Sequence, residues 1–237
     1  MSAKQPSCDE FDPDNLRVEQ ALERIHDSIT PLTETLELPL MQAHNHVLAQ
    51  DIRSPLNVPP YKNSAMDGYA LRAADLPADG DVTLDLIGTA FAGNPFDGEV
   101  HRGQCVRIMT GAKLPDGADT VIMQEHAAAD GKQITFAAGH TPGQNVRHAG
   151  EDIAVDEVVL KQGQRLQAAE LGLLASLGVP RVRVLRKLKV AFFSTGDELR
   201  PVGEPLEEGQ IYDSNRYTLF GMLRQLDVEI LDLGVIR

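Results

Sequence analysis

The chain has 237 residues, of which 42% are hydrophobic, and this is enough to bury the core of one or two globular domains. Its 35 acidic and 22 basic side chains give a net charge of −13, which opposes nucleic-acid phosphates and anionic membrane surfaces. Nonspecific binding to nucleic acid is therefore not expected, whereas a small anion could still be held by local Arg side chains and backbone N–H groups.

Residues 1–15 are polar and lack the apolar segment of a secretory signal, so we predict a flexible leader. No stretch approaches the roughly 20 apolar residues that a membrane span needs. Cys8 and Cys105 are far apart in the sequence, which argues against a disulfide framework and favours a reducing compartment. The sequence therefore predicts a cytoplasmic protein that does not span a membrane.

An amphipathic helix is predicted next, because apolar residues recur at helical spacing through Val18, Leu22, Ile25 and Ile29. Asp14 or Asn15 could provide its N-cap, and Thr30-Pro31 ends it. A short strand at residues 36–40 and a second helix through Met41, Val47 and Leu48 are predicted before Ser54-Pro55 breaks the pattern. We assign residues 16–54 to a mixed α/β linking domain.

The pattern changes over residues 55–139, where short apolar runs alternate with Gly, Pro and Asp clusters. The predicted strands cover residues 82–87, 105–109, 120–124 and 133–137. Such spacing is typical of a β-rich, barrel-like domain. Residues 140–183 return to the mixed style, with a strand at 158–160 and a helix at 168–177 that ends on Gly178. If this segment packs back on the first helix, the β-rich domain is an insertion into the linking domain.

Residues 184–237 are predicted to begin a third domain. The apolar run Val190–Phe193 is typical of a parallel strand covered on both faces. A helix capped by Asp213 or Ser214 and a strand at 228–233 follow, giving the β-α-β order that opens a parallel sheet. Two strands and one helix cannot bury a doubly wound core, so we expect a truncated α/β domain. The predicted fold class is thus an elongated, multidomain α/β protein.

Four short segments combine residue types that can carry chemistry. The first, at residues 59–70, surrounds Asp67 with turn-forming residues, although Asn63, Ser64 and Asp67 could simply satisfy their own backbone. The second places Thr110 and Gly111 beside a strand end, where backbone N–H groups can approach an anion. An ordinary hairpin followed by a Pro-Asp-Gly turn would explain the second segment equally.

The third segment sets Arg147, whose guanidinium fork suits an oxoanion, beside the acidic pair Glu151 and Asp152. Charged surface loops often have this composition. The fourth, Gly196-Asp197-Glu198, directly follows a predicted parallel strand, where α/β sheets meet cations or ligand hydroxyls. Asp197 could instead only cap a turn. The seven histidines have no zinc-binding spacing, and no dinucleotide fingerprint, P-loop or hydrolase elbow is present.

Taken in order, the segments PPYKNSAMDGYA, RIMTGAKLPDGADTVIMQE, GQNVRHAGEDI and FSTGDEL with GQIYDSNR resemble landmarks of the molybdopterin molybdenumtransferase family. This family includes MoeA and the gephyrin E-domain, and the resemblance runs from about residue 16 to the end. It implies an enzyme of molybdenum cofactor biosynthesis that uses Mg²⁺, inserts molybdate into adenylated molybdopterin and releases AMP.

The resemblance also implies roles for individual residues. It assigns catalysis to Asp67, Asp152 and Glu198, with Asp67 and Glu198 as metal ligands. It assigns substrate binding to Thr110 and to Asp197 beside Glu198, and we add Arg147 and Gly196, whose guanidinium and backbone N–H can receive a phosphate or molybdate oxygen. A homodimer formed through the linking domain is implied, together with other proteins of molybdenum cofactor biosynthesis as partners, and we expect this chain to be inactive alone. The alternatives are a nonenzymatic scaffold and a passive module that binds a pterin or nucleotide.

Overall fold

The computed structural model describes residues 16–236, and the predicted leader at residues 1–15 lies outside the described residues. The helices are α1 (Val18–Ser28), α2 (Ala168–Ser176) and α3 (Ser214–Gln225). The strands are β1 (Thr35–Pro39), β2 (Ile52–Arg53), β3 (Asn63–Ser64), β4 (Gly68–Leu71), β5 (Asp81–Ala90), β6 (Gln104–Ile108), β7 (Thr120–Met123), β8 (Ala127–Asp130), β9 (Gln133–Ala137), β10 (Val146–Arg147), β11 (Val158–Leu160), β12 (Arg181–Leu185), β13 (Lys189–Thr195), β14 (Leu199–Arg200), β15 (Ile211–Tyr212) and β16 (Glu229–Ile236). None of the helices in this part of the chain is long and apolar enough to span a membrane.

The described residues form two compact units, one of residues 37–184 and one of residues 16–36 with 185–236. The larger unit contains a six-stranded sheet in the order β7-β4-β6-β5-β9-β8. The pairing of β5 with β6 is parallel, and the other neighbours in this sheet are antiparallel. The mixed α/β class is confirmed, but the edge strands β7 and β8 do not pair with each other, so the sheet is not a closed barrel.

Both faces of the six-stranded sheet are buried near its centre, which explains why all four residues of β4 are buried. One face carries a cluster that includes Ala70, Ala90, Val106, Ile108 and Val121. The other face carries a cluster that includes Tyr69, Leu71, Cys105, Ile122 and Phe136. Successive side chains of a strand point to opposite faces, so β4, β5, β6 and β7 each contribute to both clusters. The strand β4 was not predicted from the sequence.

A third core cluster of the larger unit joins residues that precede the six-stranded sheet in the sequence with residues that follow it. It contains Ala43, Leu48, Ile52, Leu160, Leu166, Leu174, Val182 and Val184. The predicted second helix through Met41, Val47 and Leu48 is wrong, since only a single turn of 3₁₀-helix forms at Leu40–Gln42. Asn45 has a φ of 65°, which interrupts a right-handed helix, and Leu48 pairs in extended form with Val184.

The smaller unit confirms the predicted β-α-β order, because β13 and β16 pair in parallel on either side of α3 in the sequence. Asp213 caps α3 and accepts a hydrogen bond from the backbone N of Arg216. Burial on both faces of β13 was a wrong expectation. Exposure alternates along the strand and Phe193 is 51% exposed, so within residues 16–236 one face of β13 is uncovered.

Candidate functional site

Asp67 and Thr110 are brought together by the register of two strands. Gly68 at the start of β4 pairs with Ile108 at the end of β6, so the residues just outside these strands become neighbours. The Oδ1 atom of Asp67 accepts hydrogen bonds from the backbone N and the Oγ1 of Thr110, each 2.8 Å long. Ser64 does satisfy its own segment, through Met66, but the carboxylate of Asp67 binds a residue 43 positions away.

The hydrogen bonds to Thr110 stabilise the charged form of Asp67. The pKa of Asp67 is lowered by the backbone N–H of Thr110, then by its hydroxyl, and further by the positive charge of Arg107. Partial desolvation acts in the opposite direction. Asp67 is therefore ionised at neutral pH, and its Oδ2 atom accepts no hydrogen bond from residues 16–236.

Arg107 lies on the same end of the sheet and was given no role by the sequence analysis. Its guanidinium lies 4.9 Å from the centroid of the Tyr69 ring, and its Nη2 donates a hydrogen bond to Oε1 of Gln124. Tyr69 pairs with Arg107 across β4 and β6, so both side chains share one face of the sheet. The alternation of residues along β6 would have placed Arg107 on this face once the strand was known.

Arg147 and Asp152 form an ion pair in the third segment. The Nη2 of Arg147 contacts Oδ1 of Asp152, and its Nε lies 3.5 Å from Oε1 of Glu151. The other oxygen of Glu151 accepts a hydrogen bond of 2.8 Å from the backbone N of His148. These contacts raise the pKa of Arg147, with the hydrogen bond to Asp152 as the largest cause. The two predicted site residues are thus in direct contact, and no acceptor among residues 16–236 binds Nη1 of Arg147.

The first three segments meet along the chain from residue 63 to residue 67. On one side, Gly111 donates a backbone hydrogen bond of 2.8 Å to Ser64, and Ser64 donates one of 3.1 Å to Ala112. On the other side, β3 pairs with β10, and Ala65 donates a backbone hydrogen bond of 2.9 Å to Asn145. Asp67, Thr110, Arg147 and Asp152 are therefore carried by adjoining loops of the larger unit.

The fourth segment belongs to the smaller unit and follows the carboxyl end of β13. Gly196 has a φ of 150°, and a Cβ atom there would lie 2.5 Å from Oε2 and 2.7 Å from Oε1 of Glu198. Glycine is favoured here because L side chains rarely adopt a φ of 150°, whereas the Glu198 carboxylate lies at the end of a flexible side chain and could move away from a Cβ atom. A backbone hydrogen bond from Leu199 to Gly196 closes the turn. Asp197 is exposed and its side chain binds no described residue, so it does not cap this turn.

A protein-family model described as the MoeA N-terminal region (domain I and II) matches residues 16–178. The chain belongs to the MoeA family. The molybdopterin molybdenumtransferase of Haemophilus influenzae is 48% identical over 223 residues, which cover 93% of this chain and 54% of that protein. The protein of the same name from a Nostoc species is 36% identical over 207 residues, covering 86% of this chain and 48% of its own length.

Solved structures of MoeA proteins have the same fold. The crystal structure of the molybdopterin biosynthesis MoeA protein from Pyrococcus horikoshii OT3 superposes with a TM-score of 0.84 at 36% identity, covering 92% of this chain and 59% of that one. The chain spans about half the length of the curated relatives it matches. The matched family region contains the first three segments of the candidate site, and the fourth lies beyond residue 178.

Proposed function

We propose that this chain provides part of the active site of a molybdopterin molybdenumtransferase. The reaction inserts molybdate into the dithiolene of adenylated molybdopterin and releases AMP. The names of the relatives support this proposal. The observation that carries it is the ionised carboxylate of Asp67, which two hydrogen bonds from Thr110 hold at the end of the sheet with one oxygen available to a ligand.

The geometry suggests what each side chain of the larger unit contributes. Thr110 fixes the orientation of Asp67, whose Oδ2 can accept a hydrogen bond from a pterin N–H or from a metal-bound water. Arg147 holds Asp152 in place, and its Nη1 donors can receive a phosphate or molybdate oxygen. In the smaller unit, we assign substrate binding to the backbone of Gly196 and to Asp197, and a catalytic role to Glu198.

Mg²⁺ is the cofactor that the family resemblance implies, and it prefers oxygen ligands while keeping several water molecules. Within residues 16–236 no group of three or more His, Cys, Asp or Glu side chains could hold a metal ion. Oδ2 of Asp67 and the carboxylate of Glu198 each accept no hydrogen bond from residues 16–236, so each residue by itself fits the role of a ligand to an ion held mainly by substrate phosphates and water. A bound Mg²⁺ would offset the repulsion between phosphate and molybdate.

We further propose that residues 55–139 are inserted into a linking domain of residues 16–54 and 140–183, and that the protein forms a homodimer in the cytoplasm. The third core cluster supports the first part, since it joins residues 43–52 with residues 160–184. The helix α1 supports the proposed homodimer, because it has no buried residue and its apolar face is exposed. Other proteins of molybdenum cofactor biosynthesis would supply its substrate and accept its product.

The test is AMP release coupled to molybdenum insertion, measured on a polypeptide that spans the full length of the relatives. Asp67→Asn removes one charge without changing the size of the side chain, and we expect AMP release to fall about a hundredfold. Asp130→Asn is the matched control, because Asp130 is an exposed residue at the β8–β9 turn. Full activity of Asp67→Asn would contradict the proposal. Binding of the substrate without AMP release would favour a passive binding module.

A further inference from the structure

The end of the six-stranded sheet that carries Asp67 continues across two more strands. Ile108 of β6 pairs with Gly68 of β4 on one side and with Ala90 of β5 on the other. The backbone N of Met109 donates a hydrogen bond of 3.1 Å to the carbonyl of Ala90, so the pairing of β5 with β6 reaches the end of both strands. The next residues along the three chains are therefore Asp67, Met109 and Phe91.

Phe91 presents an exposed aromatic ring on a rigid turn. The side chain is 47% exposed. Its backbone N donates to the carbonyl of Asn94 at 3.0 Å, and the N of Asn94 donates back at 3.1 Å. Gly93 supplies the left-handed conformation of this tight turn, with a φ of 79°. Because the turn is closed from both sides, the backbone of Phe91 is held in place relative to the end of β5.

Phe91 and Asp67 lie at a distance and on a face that suit one ligand. Neighbouring strands are about 4.8 Å apart, so two strand spacings separate the two residues by about 10 Å. Ala90 and Ile108 point into one core cluster, and the residues that follow them therefore point to the opposite face. Met66, which precedes Asp67 in the sequence, is 42% exposed. Apolar walls with a few placed polar groups are typical of small-molecule sites.

We propose that Phe91 is a stacking platform for a planar nitrogen heterocycle of the substrate. The ring lies over the side chains at the end of β5 and β6, and Oδ2 of Asp67 accepts a hydrogen bond from an N–H group at its edge. Adenylated molybdopterin contains two such heterocycles, the pterin and the adenine. This inference rests on the proposed function and assigns a binding residue that the family motifs do not contain.

The chain has no tryptophan, so Phe91→Trp introduces a single indole whose fluorescence reports directly on this position. We would titrate this variant with molybdopterin and, separately, with AMP, in the absence of oxygen. The heterocycle that stacks here should quench the indole emission. Met41→Trp is the control, because Met41 is 90% exposed in the same unit and lies in a different segment of it. Equal quenching in both variants would overturn the proposal.

Affinity measurements on Phe91→Ala and Phe91→Tyr complete the test. Phe91→Ala, which removes the ring, should weaken the binding of either molybdopterin or AMP about tenfold or more. Phe91→Tyr keeps an aromatic ring and should bind that ligand with unchanged affinity. Because Phe91 is half-exposed, thermal unfolding of both variants should match that of the unsubstituted chain. Unchanged affinity of Phe91→Ala for both ligands would overturn the platform and leave the proposed function standing. Failure of a polypeptide that spans the full length of the relatives to bind either ligand would overturn both.

Discussion

Gly68 is the position where a single methyl group should have the largest effect on the site-bearing sheet. A Cβ atom at Gly68 would overlap the carbonyl oxygen of Ile122 and would lie 2.8 Å from its carbonyl carbon and 3.1 Å from Cα of Met123. Ordinary contacts between carbon atoms are about 3.5–4.0 Å long, so the clash amounts to almost 1 Å. The atoms it meets are backbone atoms of β7, which cannot turn away as a side chain would.

We therefore expect Gly68→Ala to lower the free energy of unfolding by about 3 kcal/mol, the upper part of the range for overpacked positions. Gly172→Ala is the matched control, because nothing lies within 4 Å of a Cβ added there in α2. It should raise the free energy of unfolding by about 0.5–1 kcal/mol through helix propensity.

Both substitutions lie in the larger unit, so one urea transition followed by far-UV circular dichroism compares them directly. The two variants should differ by about 4 kcal/mol, with opposite signs relative to the unsubstituted chain. Gly68→Ala should also weaken the contact of Asp67 with Thr110, since Asp67 precedes the displaced residue. If Gly68→Ala unfolds at the same urea concentration as the unsubstituted chain, the close packing of β4 against β7 is refuted.

Three further predictions follow from the same structure. Because the pKa of Asp67 is lowered in the folded state, its ionised carboxylate contributes fully to stability above the unfolded-state pKa near 4, and this contribution is lost as the pH falls through the folded-state pKa. Asp67→Asn and the unsubstituted chain should therefore differ less in urea stability at pH 2 than at pH 6. An equal difference at both pH values would contradict this. Burial raises the pKa of the Cys105 thiol to about 12. In a Cys8→Ser variant, whose remaining thiol is Cys105, we expect no reaction with thiol reagents at pH 8 until urea unfolds the protein. Rapid labelling of the folded variant would contradict this. If the proposed homodimer forms through α1, Leu22→Glu on its exposed face should halve the mass measured by light scattering, and an unchanged mass would exclude α1 from the contact.

Elements with a clear apolar pattern could be predicted from the sequence, as α1 illustrates by its helical spacing and β13 by its continuous apolar run. The strand β4 could not, because its four residues are buried on both faces and therefore show no alternation. The false helix through Met41 and Leu48 has a helical apolar spacing. Of these two residues only Leu48 enters the core, in extended conformation, whereas Met41 is exposed; the sequence does not distinguish this arrangement from a helix.

The sequence predicted which residues belong to the candidate site, but not which of their side chains are in contact. Asp67 and Thr110 were singled out separately, yet their contact depends on the register of β4 with β6, which spans 43 positions of the chain. Arg107 was missed for the same reason, since its place above Tyr69 follows from that register. Local composition therefore identified the loops, and the pairing of the strands determined which side chains meet.

Half of the contact that orients Asp67 is made by the main chain of Thr110, and this part does not depend on which side chain occupies position 110. Replacing Thr110 by Ala removes only the hydroxyl bond. The site can thus tolerate sequence drift at position 110 more readily than at position 67, because a backbone donor is inherited with the fold. The loss of activity in Thr110→Ala would measure the hydroxyl hydrogen bond alone. A small loss would mean that the backbone hydrogen bond is enough to orient Asp67.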